Sequence, residues 1–177
     1  MPDGLDGELL ERFVQGDQTA FESLFRQFEA DVHRWILRIV RERSAADDVL
    51  VEAFWRAYRG RARFDPSRSF GAWMRRIASN AALDHLRAAR PRAGWRIADD
   101  RMPSPPPPDR AAEESIARAF RSLPPRLQIV ATLALIEERP YAEIADALDL
   151  PVGTIKSRVF RATRLLRKEL ARLGITS

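Results

Sequence analysis

The segment Arg90–Ala111 holds six of the chain's twelve prolines, four of them in a row at Pro105–Pro108. Proline lacks a backbone N–H and fixes φ, so such a run neither continues a helix nor pairs inside a sheet. Asp99, Asp100 and Asp109 add charge, and apolar periodicity is nearly absent. The composition predicts an extended, polyproline-like linker. At about 3.1 Å per residue, 22 residues reach on the order of 70 Å. The fold must therefore be assembled from the blocks on either side, residues 1–89 and 112–177. Neither shows an internal repeat or a convincing strand pattern. The expectation is an all-α chain of two helical domains joined by residues 90–111.

In the C-terminal block, Tyr141–Arg161 reads YAEIADALDLPVGTIKSRVFR. Ala142, Ile144, Ala145 and Leu148 fall at helical spacing. Ala145 is small enough to let a second helix pack closely. Leu148-Asp149-Leu150 makes a turn, and Asp tolerates the left-handed conformation better than most residues other than glycine. Pro151 suits the start of the next helix, where a missing N–H costs nothing. This is the plan of a helix-turn-helix, whose second helix enters the DNA major groove.

That second helix divides into two faces. At about 100° per residue, Ile155, Val159, Ala162, Leu166 and Leu170 form one apolar stripe. Ser157, Arg161, Arg164 and Lys168 lie opposite, flanked by Thr154, Lys156, Arg158 and Phe160. An arginine bridges two acceptors on guanine, Ser and Thr bond bases or phosphates, and an aromatic ring can rest on a thymine methyl. Upstream, a helix at about Ala111–Arg121 and another opening at Leu123-Pro124-Pro125, with Ile129, Val130, Leu133 and Ile136, complete the block.

The N-terminal block begins with Leu9, Leu10, Phe13 and Val14. Thr19 and Glu22 form a capping-box pattern before the stripe Phe21, Leu24, Phe25, Phe28, Val32, Trp35, Ile36, Ile39. Ser44 and Asp47 repeat the pattern before Val49, Leu50, Ala53, Phe54 and Ala57. A basic loop, Gly60–Ser69, contains Arg61, Arg63, Phe64, Pro66 and Arg68. A third helix over about Phe70–Ala89 carries Trp73, Arg75, Arg76, Asn80, Asp84 and Arg87 beside its apolar positions. Aromatic rings interleaved with phosphate-binding arginines are what single-stranded nucleic acid requires.

The net charge of +5 and pI of about 10.5 point to a polyanionic partner. The only lysines are Lys156 and Lys168. The absence of cysteine excludes disulfides, thiolate zinc sites and a cysteine redox sensor within the chain. The start MPDGLDGELL has no signal-peptide pattern. The longest apolar run, Ile129–Ile136, is far below the roughly 20 residues that span a bilayer. A cytoplasmic protein without membrane insertion is expected. His33 and His85 are the only histidines, and no Gly-rich phosphate loop or nucleophile–base pattern is present, so no catalytic residues and no cofactor are predicted. Asp47, Asp48 and Glu52 lack the clustered oxygen ligands of a Mg²⁺ or Ca²⁺ site. No metal is predicted there; a negative patch for a protein partner fits better.

Taken together, these segments resemble a bacterial RNA polymerase sigma factor of the sigma-70 family, extracytoplasmic-function (ECF) subgroup, over essentially the whole chain. GDQTAFESLFRQF, SAADDVLVEAFWRAYRG and FGAWMRRIASNAALDHLR resemble the family's region 2; LPPRLQIVATLAL and YAEIADALDLPVGTIKSRVFRA resemble region 4. The resemblance implies a transcription initiation factor with no chemistry of its own. Residues 1–89 would bind the β′ clamp of core RNA polymerase through Ala46–Tyr58, with Asp47, Asp48, Glu52 and Phe54 as contacts. Arg61, Arg63, Phe64, Arg68, Trp73, Arg76, Asn80 and Arg87 would open the promoter −10 element and hold its single strand. Residues 112–177 would touch the β flap and read the duplex −35 element through Thr154, Lys156, Ser157, Arg158, Phe160, Arg161 and Arg164. An inhibitory anti-sigma factor is implied as a further partner. Val51 stands where the family usually has Gln, Pro140 replaces a capping Ser or Thr, and Asp149 replaces a common turn Gly. The alternative is a helix-turn-helix repressor or activator, which leaves the N-terminal block without a role.

Overall fold

The computed structural model describes residues 5–89 and 108–175, and every regular element among them is helical. The linker expectation for residues 90–107 lies outside the described residues. In the N-terminal unit, α1 (Gly7–Gln15) crosses the start of a bundle made by α2 (Gln18–Val40), α3 (Arg43–Gly60) and α4 (Phe70–Ala88). A single 3₁₀ turn, Arg61–Arg63, leads out of α3. In the C-terminal unit, α5 (Pro108–Ser122) and α6 (Pro125–Ala131) precede α7 (Tyr141–Leu148) and α8 (Val152–Arg172). Helix α5 thus begins before the predicted Ala111.

The helix starts differ in one respect from the capping boxes read in the sequence. Asp17, not Thr19, caps α2: its carboxylate accepts the N–H groups of Thr19 and Ala20 at 2.8 and 3.1 Å. A cap reaches only the amides two or three residues ahead, and an anion there also meets the positive end of the helix dipole. The Arg12 guanidinium, at 2.8 Å, and then those amides hold the Asp17 carboxyl below its usual range. At α3 the cap is Glu42, whose oxygens accept from Ser44 and Ala45.

The N-terminal core is aromatic. Phe13 is fully buried and meets Phe21, Phe64, Phe70 and Trp73 with ring centroids 5.5–6.5 Å apart. Phe28 closes on Phe70 at 5.1 Å. Truncating such a ring to alanine costs about 3–5 kcal/mol. A buried polar bond, Trp35 Nε1 donating to Ser79 Oγ at 2.9 Å, ties α2 to α4. The C-terminal unit packs aliphatic residues instead: Ile129, Val130, Leu133, Ile144, Ile155 and Val159 are all buried. Thr132–Ile136 widens into a π turn after α6, a feature that the apolar pattern of this run did not predict.

The two units are not separate bodies. Helix α4 packs on α7 and α6, and α2 touches the π turn. One continuous hydrophobic cluster runs from Phe13 to Val159, with Leu148 and Leu150 of the helix-turn-helix packed against it. A second, small cluster of Ala119, Leu123, Ala131, Ala162 and Leu166 seats α5 against α6 and α8.

Candidate nucleic-acid and polymerase interfaces

The helix-turn-helix has the geometry that its sequence specifies. Asp149 closes α7 in the left-handed conformation (φ 55°, ψ 52°). Pro140 and Pro151 occupy the cap positions of α7 and α8, neither with a side-chain cap bond. Ile155, Val159, Ala162 and Leu166 are buried, while Leu170 is only partly covered. Lys156, Ser157, Phe160, Arg161 and Arg164 are exposed, and Thr154 and Arg158 are half-buried at the edge of the face. Phe160 leaves 69% of its surface open, unusual for an unpartnered phenyl ring. Ser157 Oγ donates to the Thr154 carbonyl at 2.9 Å, which holds its hydroxyl in place. Partial burial, then Arg126 and Arg161, push the Arg158 guanidinium below its usual value. A crowded cationic patch of this kind gains by meeting an anion.

The predicted strand-binding surface on the N-terminal unit is altered by the structure at two positions. Phe64 is buried, its ring 4.8 Å from Trp73 and 5.5 Å from Phe70. A ring enclosed on this scale cannot stack on a base; Phe64 anchors the loop instead. Arg61 is also engaged within the fold. Its Nη1 donates to the Tyr58 carbonyl at 2.9 Å and its Cζ lies 4.5 Å over the Tyr58 ring. Gly16, at φ 93°, lets the guanidinium approach: a Cβ there would sit 2.9 Å from Arg61 Nη2. Arg61 is a strut between α1 and α3.

The remaining members stay on the surface. Arg63, Arg68, Arg76, Asn80 and Arg87 are exposed, and Trp73 is half-buried. Arg63, Phe64, Arg68, Trp73 and Arg76 line a cavity of about 450 Å³ together with Asp146 of α7. Arg76 itself pairs with Asp149 at 3.1 Å. A chain of ion pairs, Glu52–Arg56–Asp84–Arg87, links α3 to α4 with contacts of 2.7, 2.8 and 2.9 Å. Arg56 first, with Arg87 assisting, holds the Asp84 carboxyl below its usual range.

On α3, Asp48 and Glu52 are exposed, and Asp47 is 2.8 Å from His33 Nε2. Phe54, predicted as a partner contact, is buried against Phe21 and Phe25 at 6.4 and 4.6 Å. Its place in the apolar stripe with Ala53 and Ala57 explains why it turns inward. The exposed apolar residues of this helix are Val51 and Trp55, 68% and 54% open, with Trp55 stacked near Tyr58. Sequence reading missed Trp55. The signal was available: Val51, Trp55 and Tyr58 stand at i, i+4, i+7, a second stripe apart from the core one.

No helix among the described residues is long and apolar enough to cross a membrane. What these elements define is a DNA-binding class of protein: a helical unit with an arginine-rich surface, followed by a helix-turn-helix. Residues 24–92 match the sigma-70 region 2 family model, and residues 113–166 match the sigma-70 region 4 model. The chain is 33% identical to RNA polymerase sigma-H factor of Pseudomonas aeruginosa, over 93% of each chain. It is 34% identical to ECF RNA polymerase sigma factor SigM of Mycobacterium tuberculosis, over 95% of this chain and 84% of that one. Among solved structures, CnrH in complex with the cytosolic domain of CnrY superposes with a TM-score of 0.58 at 24% identity, over 94% of this chain and 97% of that one. That likeness speaks for the fold. The chain belongs to the sigma-70 family of RNA polymerase sigma factors, ECF subgroup. A sigma factor directs RNA polymerase to promoters.

Proposed function

We propose a division of that labour within the chain. Residues 1–89 capture the −10 strand, residues 108–177 read the −35 duplex, and the segment between them joins the two. The observation that carries this reading is the clean split of α8, with four buried aliphatic residues on one side and Lys156, Ser157, Phe160, Arg161 and Arg164 open on the other. Arg161 and Ser157 contact −35 base edges, and Phe160 lies against a thymine methyl. Arg63, Arg68, Arg76, Asn80 and Arg87, with the rim of Trp73, hold the unpaired −10 strand. On α3, Asp48 and Glu52 beside exposed Val51 and Trp55 meet the β′ clamp: a central aromatic within a charged rim suits a protein partner. Region 4 touches the β flap. The chain carries no catalysis of its own and acts in the cytoplasm. An anti-sigma factor is the further partner; the sigma factor RpoE of Bartonella quintana is solved in complex with the anti-sigma factor NepR, and shares this fold with a TM-score of 0.52 at 18% identity, over 85% of this chain and 96% of that one.

Abortive transcription tests the reading. Core polymerase with this chain makes short transcripts from its promoter, and core alone does not. Transcription that needs a separate sigma factor, with this chain only raising or lowering it, would make it a repressor or activator instead.

A further inference from the structure

Five arginines converge between α2, α4 and the segment that leads into α7. Arg34, Arg38 and Arg41 follow one another at i, i+4 and i+7 along α2 and its C-cap, so they share one side of that helix. Arg75 comes from α4, and Arg139 from the residues between the π turn and α7. The backbone fixes Arg139: its N–H donates to the Leu133 carbonyl at 2.9 Å, after Glu138 has turned the chain at φ 49°. Arg34, Arg38, Arg75 and Arg139 line a cavity of about 240 Å³ with Trp35, Asp31 and Glu143. A second cavity shares Arg34 and Arg38 and adds Arg41 and Glu137.

The carboxylates within reach do not satisfy this set. Asp31 pairs with Arg34, and Glu137 with Arg38 at 3.2 Å. Glu143 is divided between Arg75 at 3.2 Å and Arg139 at 3.7 Å. No carboxylate among the described residues pairs with Arg41. Arg139 Nε is buried and has no hydrogen-bond partner among them. A buried donor without an acceptor is costly, the more so on a charged group. The Arg75 guanidinium also lies 5.9 Å over the ring of Trp35, which is 3% exposed. An apolar wall of this kind strengthens whatever charge interaction forms beside it.

We propose that these arginines form a binding site for a small phosphoryl oxyanion of the size of pyrophosphate. Guanidinium forks match phosphoryl oxygens two at a time. The first cavity is smaller than the roughly 300 Å³ at which sites for drug-sized ligands begin, which leaves no room for a nucleoside. From Arg34 to Arg41 the cationic run extends about 10 Å along the helix, enough for two phosphoryl groups, where orthophosphate would meet only part of it. Binding turns the Arg139 side chain toward the anion and supplies the acceptor that its Nε–H lacks. None of the five arginines is assigned above to the promoter strand or the −35 duplex, so the inference stands apart from that reading.

Calorimetric titration of the full chain with inorganic pyrophosphate, without magnesium and at constant ionic strength, tests it. One site is expected, about tenfold tighter than for orthophosphate, as the added charge-assisted bonds require. Arg139→Gln weakens it at least about tenfold, the scale of one such bond. Arg118→Gln, which removes an exposed charge on α5, leaves it unchanged. Thermal melting checks that each variant folds; if Arg139→Gln does not, Arg38→Gln carries the same expectation. In the NMR spectrum of arginine Nε–H groups, the signal lost in the Arg139 or Arg38 variant moves when pyrophosphate is added to the unaltered chain. Equal weakening by Arg118→Gln would leave net charge as the cause and overturn the site. Orthophosphate binding as tightly as pyrophosphate would overturn the two-phosphoryl fit. Shifts confined to Arg161 and Arg164 would place the anion on the DNA-reading helix. A short oligothymidylate that moves the Arg139 signal as pyrophosphate does would give the cavity to nucleic acid, and either result refutes the proposal.

Discussion

On α8, Lys156, Arg161 and Arg164 are exposed, and no carboxylate among the described residues pairs with them. On α4, Arg75, Arg76 and Arg87 each hold one, from Glu143, Asp149 and Asp84. The two basic faces have similar composition and opposite readiness. A face that reads intact duplex can stand open, because base edges in the major groove are always presented. On the reading proposed above, the α4 face has no ligand until the duplex melts, and until then its arginines are held by carboxylates of the chain itself. The difference shows that a count of cationic residues says little about which surface is available.

Three experiments press on that contrast. The largest effect belongs to the α4 side. Replacing Arg63, Arg68 and Asn80 by alanine is expected to cripple initiation on duplex promoters by a few kcal/mol, the scale of extracting a stacked base, or on the order of 100-fold. A template with a pre-melted −10 bubble restores much of the loss. Permanganate footprinting of −10 thymines checks the step: normal reactivity with inactive variants would move these residues to a later stage. On the α8 side, Arg161→Ala is expected to weaken binding by about 1–3 kcal/mol at particular −35 base pairs. Measured across promoter variants, a uniform loss would reduce Arg161 to a phosphate contact. The smallest effect separates Arg61 from the other loop arginines. Gly16→Ala, strained by about 1–2 kcal/mol in the left-handed region, and Arg61→Ala should both lower the melting temperature. If Arg61→Ala leaves stability intact and abolishes strand opening, Arg61 belongs to the DNA surface after all.

The amphipathic helices were legible because each buries a stripe at fixed spacing, and α8 kept its whole pattern from Ile155 to Leu166. The left-handed turn at Asp149 followed from residue chemistry. Side-chain direction in short connecting segments was harder. Phe64 and Arg61 read as nucleic-acid contacts because an aromatic among arginines has that composition, yet the position of α1 determines their roles: Phe13 and Gly16 receive them. Such contacts join residues some 45 or more positions apart, and no local pattern encodes them. Asp17 and Glu42 were missed as caps because local hydroxyls offered a competing motif. The seam between the units escaped for a related reason. A proline-rich segment says that two blocks are tethered, and nothing about whether they adhere.

That seam joins ion pairs to an apolar contact, with Leu148 and Leu150 set into a cluster shared by both units. The two components answer differently to the environment. Added salt screens the most exposed of these pairs, Arg76–Asp149, within a Debye length of about 8 Å at physiological ionic strength and loosens the seam. Cooling weakens the apolar contact, because its burial carries a large heat-capacity change and its driving force near room temperature is entropic. Separation of the units should therefore absorb heat increasingly as temperature rises, giving a curved van't Hoff plot. Ionic strength and temperature thus reach this one contact through separate components, the ion pairs and the buried leucines.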